Sequence, residues 1–163
     1  MKLIILSDSH RNRDNVNKVL AMHKDADAVF FLGDGLSDVL DLSEKAPPVW
    51  FTVKGNCDGY LPIGSSPVKS VDTVTLCGKK ILFTHGHLYG VKHGKEDLIA
   101  VAKSLEADIV LFGHTHTPYE KYLPNDDLYL FNPGSIGEGY PNTPTFGIIT
   151  LTESSVLFSH GKL

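Results

Sequence analysis

Residues 3–10, LIILSDSH, decide the fold of this chain. Four aliphatic residues in a row predict a strand that is buried on both faces, as in a parallel sheet covered by helices. The run ends in a short polar segment that carries Asp8 and His10. Ligands of open α/β sheets bind outside the carboxyl ends of the strands. This stretch therefore predicts an interior strand of an α/β protein with functional groups at its end.

Apolar runs and helix-like stretches alternate through the first half of the chain. The spacing of Val16, Val19 and Leu20 predicts an amphipathic helix, with Asp14 as its expected cap. A β-α-β-α-β order favours a parallel sheet with right-handed crossovers. The predicted elements are strands at 3–6, 28–32 and 49–53, a helix at 14–23, and a short helix at 36–45 that Pro47-Pro48 stops.

Strands dominate the second half. A hairpin around Gly78 is predicted, then a helix over 95–106 and a strand at 109–112. Together the halves predict one domain over residues 1–163 of the α/β class: two mixed β-sheets packed face to face, with helices on the outer faces. Four further strands, separated by turn residues, are predicted at 119–123, 128–131, 145–151 and 156–160.

Five of the predicted strands end in a small group of metal-ligand type. Because the carboxyl ends of parallel strands meet at one edge, we expect these groups to converge. Composition alone predicts Gly-His-x-His only about 0.035 times in such a chain, and the conjunction of motifs is a stronger signal still. The groups are Asp8-Ser9-His10, Gly33-Asp34, Gly55-Asn56-Cys57-Asp58, His85-Gly86-His87 and Gly113-His114-Thr115-His116.

These side chains suit divalent cations. Neutral imidazole and carboxylate together favour Mn, Fe, Zn or Ni. Neither Cys57 nor Cys77 belongs to a ligand-like pair, so a structural zinc site is not expected. Two ions that share one carboxylate need about seven protein ligands. The candidate ligands are Asp8, His10, Asp34, Asn56, His85, His114 and His116.

The order of these motifs resembles the calcineurin-like metallophosphoesterase superfamily over residues 8–116. The later segment FNPGSIGEGY, residues 131–140, is similar to small bacterial and archaeal phosphodiesterases. That subgroup is related to the vacuolar-sorting subunit of retromer, which uses the same fold as a protein scaffold. The resemblance therefore implies a sandwich fold and metal-dependent ester hydrolysis, with scaffolding as the alternative.

The resemblance also implies a role for each ligand. One ion would be held by Asp8, His10 and His116, and a hydroxide between the two ions would attack phosphorus. Asp34 would bridge the ions. The remaining assignments are Asn56, His85 and His114 for the second ion, and Asn56, His114, His87 and Cys57 as the catalytic set.

The chain departs from the family pattern at Cys57. A histidine that can protonate the leaving group is common at this position, whereas a neutral thiol is a poor general acid at pH 7. Two hypotheses stay open: the substrates have good leaving groups, or His87 or water donates the proton.

Other polar residues have simpler expected roles. Asp58 is expected to orient the loop of Asn56 rather than to bind metal. The segment 132–135, Asn-Pro-Gly-Ser, is either a plain turn or a support for the site. Histidines outside the motifs are expected at the surface or in packing: His23, His93 and His160.

Composition limits the partners. A net charge of −4 gives no broad positive field, so nucleic acid is not an expected partner. Two cysteines form no disulfide framework, which favours the reducing cytoplasm, and the apolar runs are too short for a signal-peptide core or a membrane span. The predicted function is hydrolysis of a small phosphodiester by two divalent ions, with Mn favoured. A phosphomonoesterase, an idle scaffold for protein partners and a homo-oligomer stay open.

Overall fold

The strand predicted at 3–6 lies at the centre of a mixed sheet. This is a computed structural model, and it describes residues 1–44, 47–59, 62–63, 66–137 and 143–163, with the backbone alone for 62, 63 and 66. The strand order is β12-β11-β1-β2-β3; β1, β2 and β3 are parallel, and β11 and β12 run antiparallel beside β1. The strands are β1 (Lys2–Leu6), β2 (Ala28–Phe31), β3 (Val49–Thr52), β11 (Thr145–Leu151) and β12 (Val156–Lys162).

A second mixed sheet has the order β6-β7-β8-β10-β9. Its centre, β7-β8-β10, is parallel, and each edge strand is antiparallel. A short two-stranded ribbon, which the sequence did not predict, stands apart from both sheets. The remaining strands are β4 (Pro62–Ile63), β5 (Ser66–Pro67), β6 (Val71–Leu76), β7 (Lys79–Thr84), β8 (Ile109–Phe112), β9 (Pro118–Leu123) and β10 (Leu128–Pro133).

Alternation along the strands divides the core into layers. Leu3 and Ile5 belong to the apolar cluster between the two sheets, whereas Ile4 and Leu6 face the cluster under the first helix. A third cluster covers the opposite face of the second sheet and includes Leu98. The α/β sandwich with outer helices is thus confirmed. The helices are α1 (Arg13–Met22), α2 (Leu40–Ser43) and α3 (Glu96–Ser104), with single 3₁₀ turns at Leu36–Asp38 and His87–Tyr89.

Two local predictions were wrong. The cap of α1 is Asn12, whose side chain accepts a hydrogen bond from Asn15 N at 3.3 Å, so the helix starts earlier than Asp14 indicated. The helix expected over 36–45 is a 3₁₀ turn followed by the single turn α2; residues 45–46 lie outside the described ranges. No helix in the described ranges combines the length and apolarity needed to cross a membrane.

The two sheets approach closely at their carboxyl ends. Gly113, directly after β8, sits so near β1 that a Cβ there would lie 2.0 Å from Ser7 Oγ. Gly55, beyond β3, is equally confined, since its Cβ would lie 2.0 Å from Asp34 Oδ1. Glycine is required at both positions because a side chain would push the loops apart. The fold therefore brings the strand-end motifs of both sheets together.

Candidate metal centre

Asp8 is the most deeply buried acid of the site. It follows β1 in a left-handed backbone conformation, with φ of 57°, and has no solvent exposure. Its Oδ2 accepts hydrogen bonds from Ser7 Oγ at 2.5 Å and from His114 N at 3.1 Å. Its Oδ1 is buried and accepts no hydrogen bond from the described residues. One carboxylate oxygen is therefore held in place while the other faces the site.

Imidazole nitrogens surround that free oxygen. His116 Nε2 lies 3.0 Å and His10 Nε2 3.8 Å from Asp8 Oδ1. The two Nε2 atoms are only 3.2 Å apart. One ligand atom from each of the three residues falls within 4.8 Å of the others. This first ligand group is the trio that the resemblance assigned to one ion.

A second ligand group lies beside the first. It contains Asp34, His85 and His114, again with ligand atoms within 4.8 Å of one another. His85 Nε2 lies 3.3 Å from Asp34 Oδ2 and 3.1 Å from His114 Nδ1. His85 Nδ1 lies 2.8 Å from Leu32 O, so a proton on Nδ1 donates to that carbonyl and leaves Nε2 directed into the site.

Asp34 links the two groups. It also forms a group with His10 and Cys57, so its carboxylate lies within reach of residues on both sides. Cys57 N donates a 2.7 Å hydrogen bond to Asp34 Oδ1. Burial alone would raise the pKa of Asp34, but hydrogen bonds from His85 and the Cys57 amide hold that pKa far below its usual range. Asp34 is therefore anionic and placed to be shared.

Asn56 lies on the loop next to this cluster. It is exposed, and its Nδ2 donates to Cys57 Sγ at 3.3 Å. In the described residues no hydrogen bond joins Asn56 to Asp34, His85 or His114. The loop itself is tied to the cluster, because the backbone N–H of the next residue, Cys57, donates to Asp34 Oδ1. The role of Asn56 as a metal ligand stays a prediction.

Asp58 fixes the loops of the first sheet. Its Oδ2 accepts from Asp34 N and Gly55 N, both at 2.8 Å. Its Oδ1 accepts from Gly35 N at 2.9 Å and from Leu36 N at 2.8 Å. The expected orienting role of Asp58 is confirmed, and it extends to the loop that carries Asp34.

Asp38 and Ser7 are supports that the sequence did not single out. Asp38 Oδ2 accepts from Ser9 Oγ at 2.6 Å and from Arg11 N at 2.9 Å, and so clamps the turn around His10. Asp38 lies within the stretch predicted as a plain helix, which concealed it. Ser7 offered only a weak signal, as a small polar residue between a strand and an acid.

The end of β10 and the residues that follow it support loops of both sheets. Asn132 is fully buried; its Nδ2 donates to Gly113 O at 2.8 Å and to Thr115 Oγ1 at 3.1 Å. Ser135 Oγ donates to Asp8 O at 2.9 Å. Of the two roles considered for 132–135, the structure selects support of the site.

His87 lies farther from the ligand groups. Its ring centroid is 5.4 Å from that of His85 and 6.2 Å from that of His114, and its Nδ1 is buried without a hydrogen bond from the described residues. Burial first, then the charges of His85 and Lys54, lower the pKa of His87. Burial, His85 and Lys92 lower the pKa of His114 to about 4. Both rings are therefore neutral at pH 7.

The remaining histidines agree with their expected roles. His160 stacks on Phe131 with ring centroids 4.5 Å apart and its Nε2 lies 2.8 Å from Asn132 O. His23 packs edge-on against Phe146 at 5.4 Å. His93 is exposed. None of them belongs to a ligand group in the described part of the chain.

The donor set fits divalent cations. A buried carboxylate oxygen without a hydrogen bond is costly unless a cation balances it. In two pairs of histidines the ring nitrogens lie only 3.1 and 3.2 Å apart, close enough for each pair to bind one cation. Carboxylate with neutral imidazole is the ligand chemistry of Mn, Fe, Zn and Ni. The two ligand groups thus have the composition of a pair of neighbouring metal sites.

The fold and this site define a metallophosphoesterase, and the chain belongs to the calcineurin-like phosphoesterase superfamily, whose domain matches residues 1–154. The probable metallophosphoesterase YsnB of Bacillus subtilis is 31% identical over 153 residues, covering 93% of this chain and 85% of that protein. The structure of a novel archaeal phosphodiesterase has a TM-score of 0.80 at 26% identity, over 100% of both chains. Vps29 of Entamoeba histolytica, solved with Zn²⁺, has a TM-score of 0.76 at 20% identity over 99% of both chains, which demonstrates a shared fold.

Proposed function

We propose that this protein is a dinuclear metal-dependent phosphodiesterase. The observation that carries the proposal is the buried Asp8 Oδ1, which accepts no hydrogen bond from the described residues and faces a ring of imidazole nitrogens beside a second ligand group. A buried carboxylate oxygen that accepts no hydrogen bond is costly unless a cation balances it. Membership of the superfamily and the relatives named as metallophosphoesterase or phosphodiesterase support the same function.

The proposed ligands follow the two groups. Asp8, His10 and His116 would hold one ion, and Asp34 would contact both. Two divalent cations, when bound, would supply Lewis acidity and lower the pKa of a water molecule to make it a nucleophile. Mn is our first choice, with Fe, Zn and Ni sharing the ligand chemistry. The second ion would take His85, His114 and Asn56.

The protein's own residues would orient the substrate and balance its charge. Only two carboxylates, those of Asp8 and Asp34, belong to the proposed ligand set, so two dications together with one hydroxide would leave a net charge of about +1. The single negative charge of a phosphodiester would balance that charge. A cavity of about 520 Å³, lined in part by His10, Asp34 and Cys57, has the size of a small-molecule site.

The leaving group is the second element of the proposal. Hydrogen bonding to Asp34, then burial and nearby acids, raise the pKa of Cys57, so its thiol stays protonated at pH 7 and would be a weak acid. The lowered pKa of His87 leaves few protonated rings at the same pH. Neither group compensates well for the histidine common at position 57, and we infer that good leaving groups, such as aryl oxides, are preferred.

Four further expectations accompany this function. The substrate is a small phosphate ester rather than nucleic acid, because the net charge is −4. Both cysteines are free thiols, which suits a reducing cytoplasm. A homo-oligomer and a domain covering 1–163 stay predictions.

A catalytically idle scaffold is the alternative from another class, and the shared fold with Vps29 is what favours it. The complete set of acids and histidines argues against it, since a protein-binding surface does not require a buried unpaired carboxylate oxygen. A phosphodiesterase and an idle scaffold differ in one measurable property, which is turnover of a phosphate ester.

The test combines metal content with hydrolysis of bis(p-nitrophenyl) phosphate and p-nitrophenyl phosphate after loading with Mn²⁺. We expect turnover of the diester above the monoester. Asp34→Ala and His114→Ala should lose bound metal and lower kcat/KM for the diester by at least about 100-fold.

Matched controls come from the same chain. Asp14→Asn alters an exposed acid and His93→Ala an exposed histidine, both outside the ligand groups, and should leave metal content and activity unchanged. Metal binding without any ester hydrolysis would favour the scaffold. Undiminished activity of Asp34→Ala would contradict the proposed site.

A further inference from the structure

Arg11 lies one residue beyond a proposed metal ligand, on the rim of the site. It lines a cavity of about 520 Å³ together with His10, Asp34 and Cys57, and it is exposed. The cavity therefore places a cationic side chain beside the position where a scissile phosphate would sit.

The backbone at Arg11 does not require an arginine. Its φ is 71°, in the left-handed region where glycine is less strained than any residue with a Cβ. The position is held by Arg11 N, which donates to Asp38 Oδ2 at 2.9 Å, and this amide is available to every residue except proline. A long side chain at a left-handed backbone position points to a role for the side chain itself.

The guanidinium of Arg11 is uncommitted. Arg13, two residues further on, makes a bidentate ion pair with Asp41 at 2.7 Å for each contact. In the described residues Arg11 makes no ion pair or side-chain hydrogen bond. The other acid of the cavity wall, Asp58, has both oxygens occupied by backbone amides. The positive charge of Arg11 therefore has no partner within the described cavity wall.

We propose that Arg11 is a specificity-determining residue that binds a second phosphate group on the non-leaving arm of the diester. The inference rests on the proposed function and narrows its substrate class to diesters that carry a further anion. The planar guanidinium fork fits two phosphate oxygens at once, which an ammonium group does not. The arm that reaches Arg11 lies along the cavity, and the reacting phosphate stays between the ligand groups.

The test uses two esters with the same leaving group. Both p-nitrophenyl propyl phosphate and p-nitrophenyl 3-phosphopropyl phosphate release p-nitrophenolate, and only the second carries an extra phosphate. We expect the protein to prefer the phosphorylated ester about fivefold in kcat/KM, through KM. In Arg11→Gly that preference should disappear, while kcat/KM for the propyl ester and the melting temperature are maintained.

Two comparisons sharpen the result. Arg13→Ala, which removes the arginine paired with Asp41, should keep the preference. A third ester with a 3-carboxypropyl arm distinguishes a phosphate site from a general anion site, because a carboxylate also offers two oxygens to the guanidinium fork but carries less negative charge than a phosphate. Equal preference for the carboxylate and phosphate arms would mean that Arg11 binds any anion and would overturn the phosphate assignment.

A binding measurement separates this inference from the proposed function. Titration calorimetry with propane-1,3-diyl bisphosphate and with propyl phosphate requires no turnover. The inference is supported if the bisphosphate binds more tightly than propyl phosphate and Arg11→Gly abolishes this difference. If neither ester is hydrolysed in that case, only the proposed function fails. Active protein with no preference, or a preference that survives Arg11→Gly, overturns the role of Arg11.

Discussion

The two sheets contribute different chemistry to one site, and they hold it in place differently. The first sheet supplies the acids Asp8 and Asp34, and its loops are tied by a carboxylate, Asp58, that accepts four backbone amides. The second sheet supplies imidazoles from the ends of β7 and β8, and its loop is tied by a neutral amide, Asn132. The comparison teaches that the half that carries the acids is tied by four hydrogen bonds to a carboxylate, whereas the half that carries the imidazoles is tied by a neutral side-chain amide.

The largest expected effect is at Asp58. In Asp58→Asn the new NH₂ group must face two N–H donors whichever way the amide turns, so two charge-assisted hydrogen bonds are lost. We expect the free energy of unfolding to fall by about 3–5 kcal/mol and the melting temperature by about 10 °C. Denaturant and thermal melts of the metal-free protein measure both losses.

Glu153→Gln, at an exposed position, is the control for loss of one charge. For a chain of this length, 1 kcal/mol of stability corresponds to roughly 2–4 °C in melting temperature. A melting temperature of Asp58→Asn within about 2 °C of the unchanged protein would therefore contradict the anchoring role.

A smaller effect is expected at Asn132. Asn132→Ala leaves Gly113 O without its side-chain donor and Gly134 N without its acceptor, which is Asn132 Oδ1 at 2.9 Å. We expect a loss of about 2–3 kcal/mol, because the lost hydrogen bonds are buried but neutral. Chemical denaturation should place this variant between Asp58→Asn and the unchanged protein. Asn17→Ala, an exposed asparagine in α1, is the matched control; a larger loss at Asn132 than at Asp58 would reverse the comparison.

The pH dependence of stability also distinguishes the halves. Burial alone would lower the pKa of His85, but its hydrogen bond to Asp34 and the charges of Asp8 and Asp34 raise it. A raised pKa means that stability from the protonated ring is complete below the unfolded value near 6.5 and is lost as pH rises through the folded pKa. In the presence of a metal chelator, the melting temperature should therefore fall as pH rises above about 6.5 and through the folded pKa of His85.

With Mn²⁺ present the trend should reverse, since metal binding requires the deprotonated ring and strengthens as pH rises. In His85→Gln, the melting temperature of the metal-free protein should no longer fall as pH rises. A slope that persists in that variant would assign the effect to another group.

The smallest effect is expected at Cys57. Because its thiol is protonated at neutral pH, it is neither a strong ligand nor a nucleophile. Cys57→Ser should change metal content little and kcat/KM for p-nitrophenyl diesters by less than about threefold. Loss of one equivalent of metal would instead make Cys57 a ligand with His10 and Asp34. Cys77→Ser, at the hairpin, controls for thiol loss.

The sequence alone determined the strands of the core and the identity of the candidate ligands. Continuous apolar runs predict β1, β2 and β8 correctly because these strands are buried on both faces. The polar residue after such a run is equally legible, because a parallel sheet directs strand ends to one edge. Local physics is enough for both inferences.

Only the tertiary structure decided how the late strands divide and which residues anchor the loops. The four late strands looked alike in sequence, yet β9 and β10 join the second sheet while β11 and β12 flank β1. Asp38 and Asn132 form hydrogen bonds to loops that are distant in the sequence. Arg11 lines a cavity whose other walls come from the loops after β2 and β3. Such contacts leave no periodic pattern, since their partners are set by the packing of the two sheets and not by neighbours in the sequence.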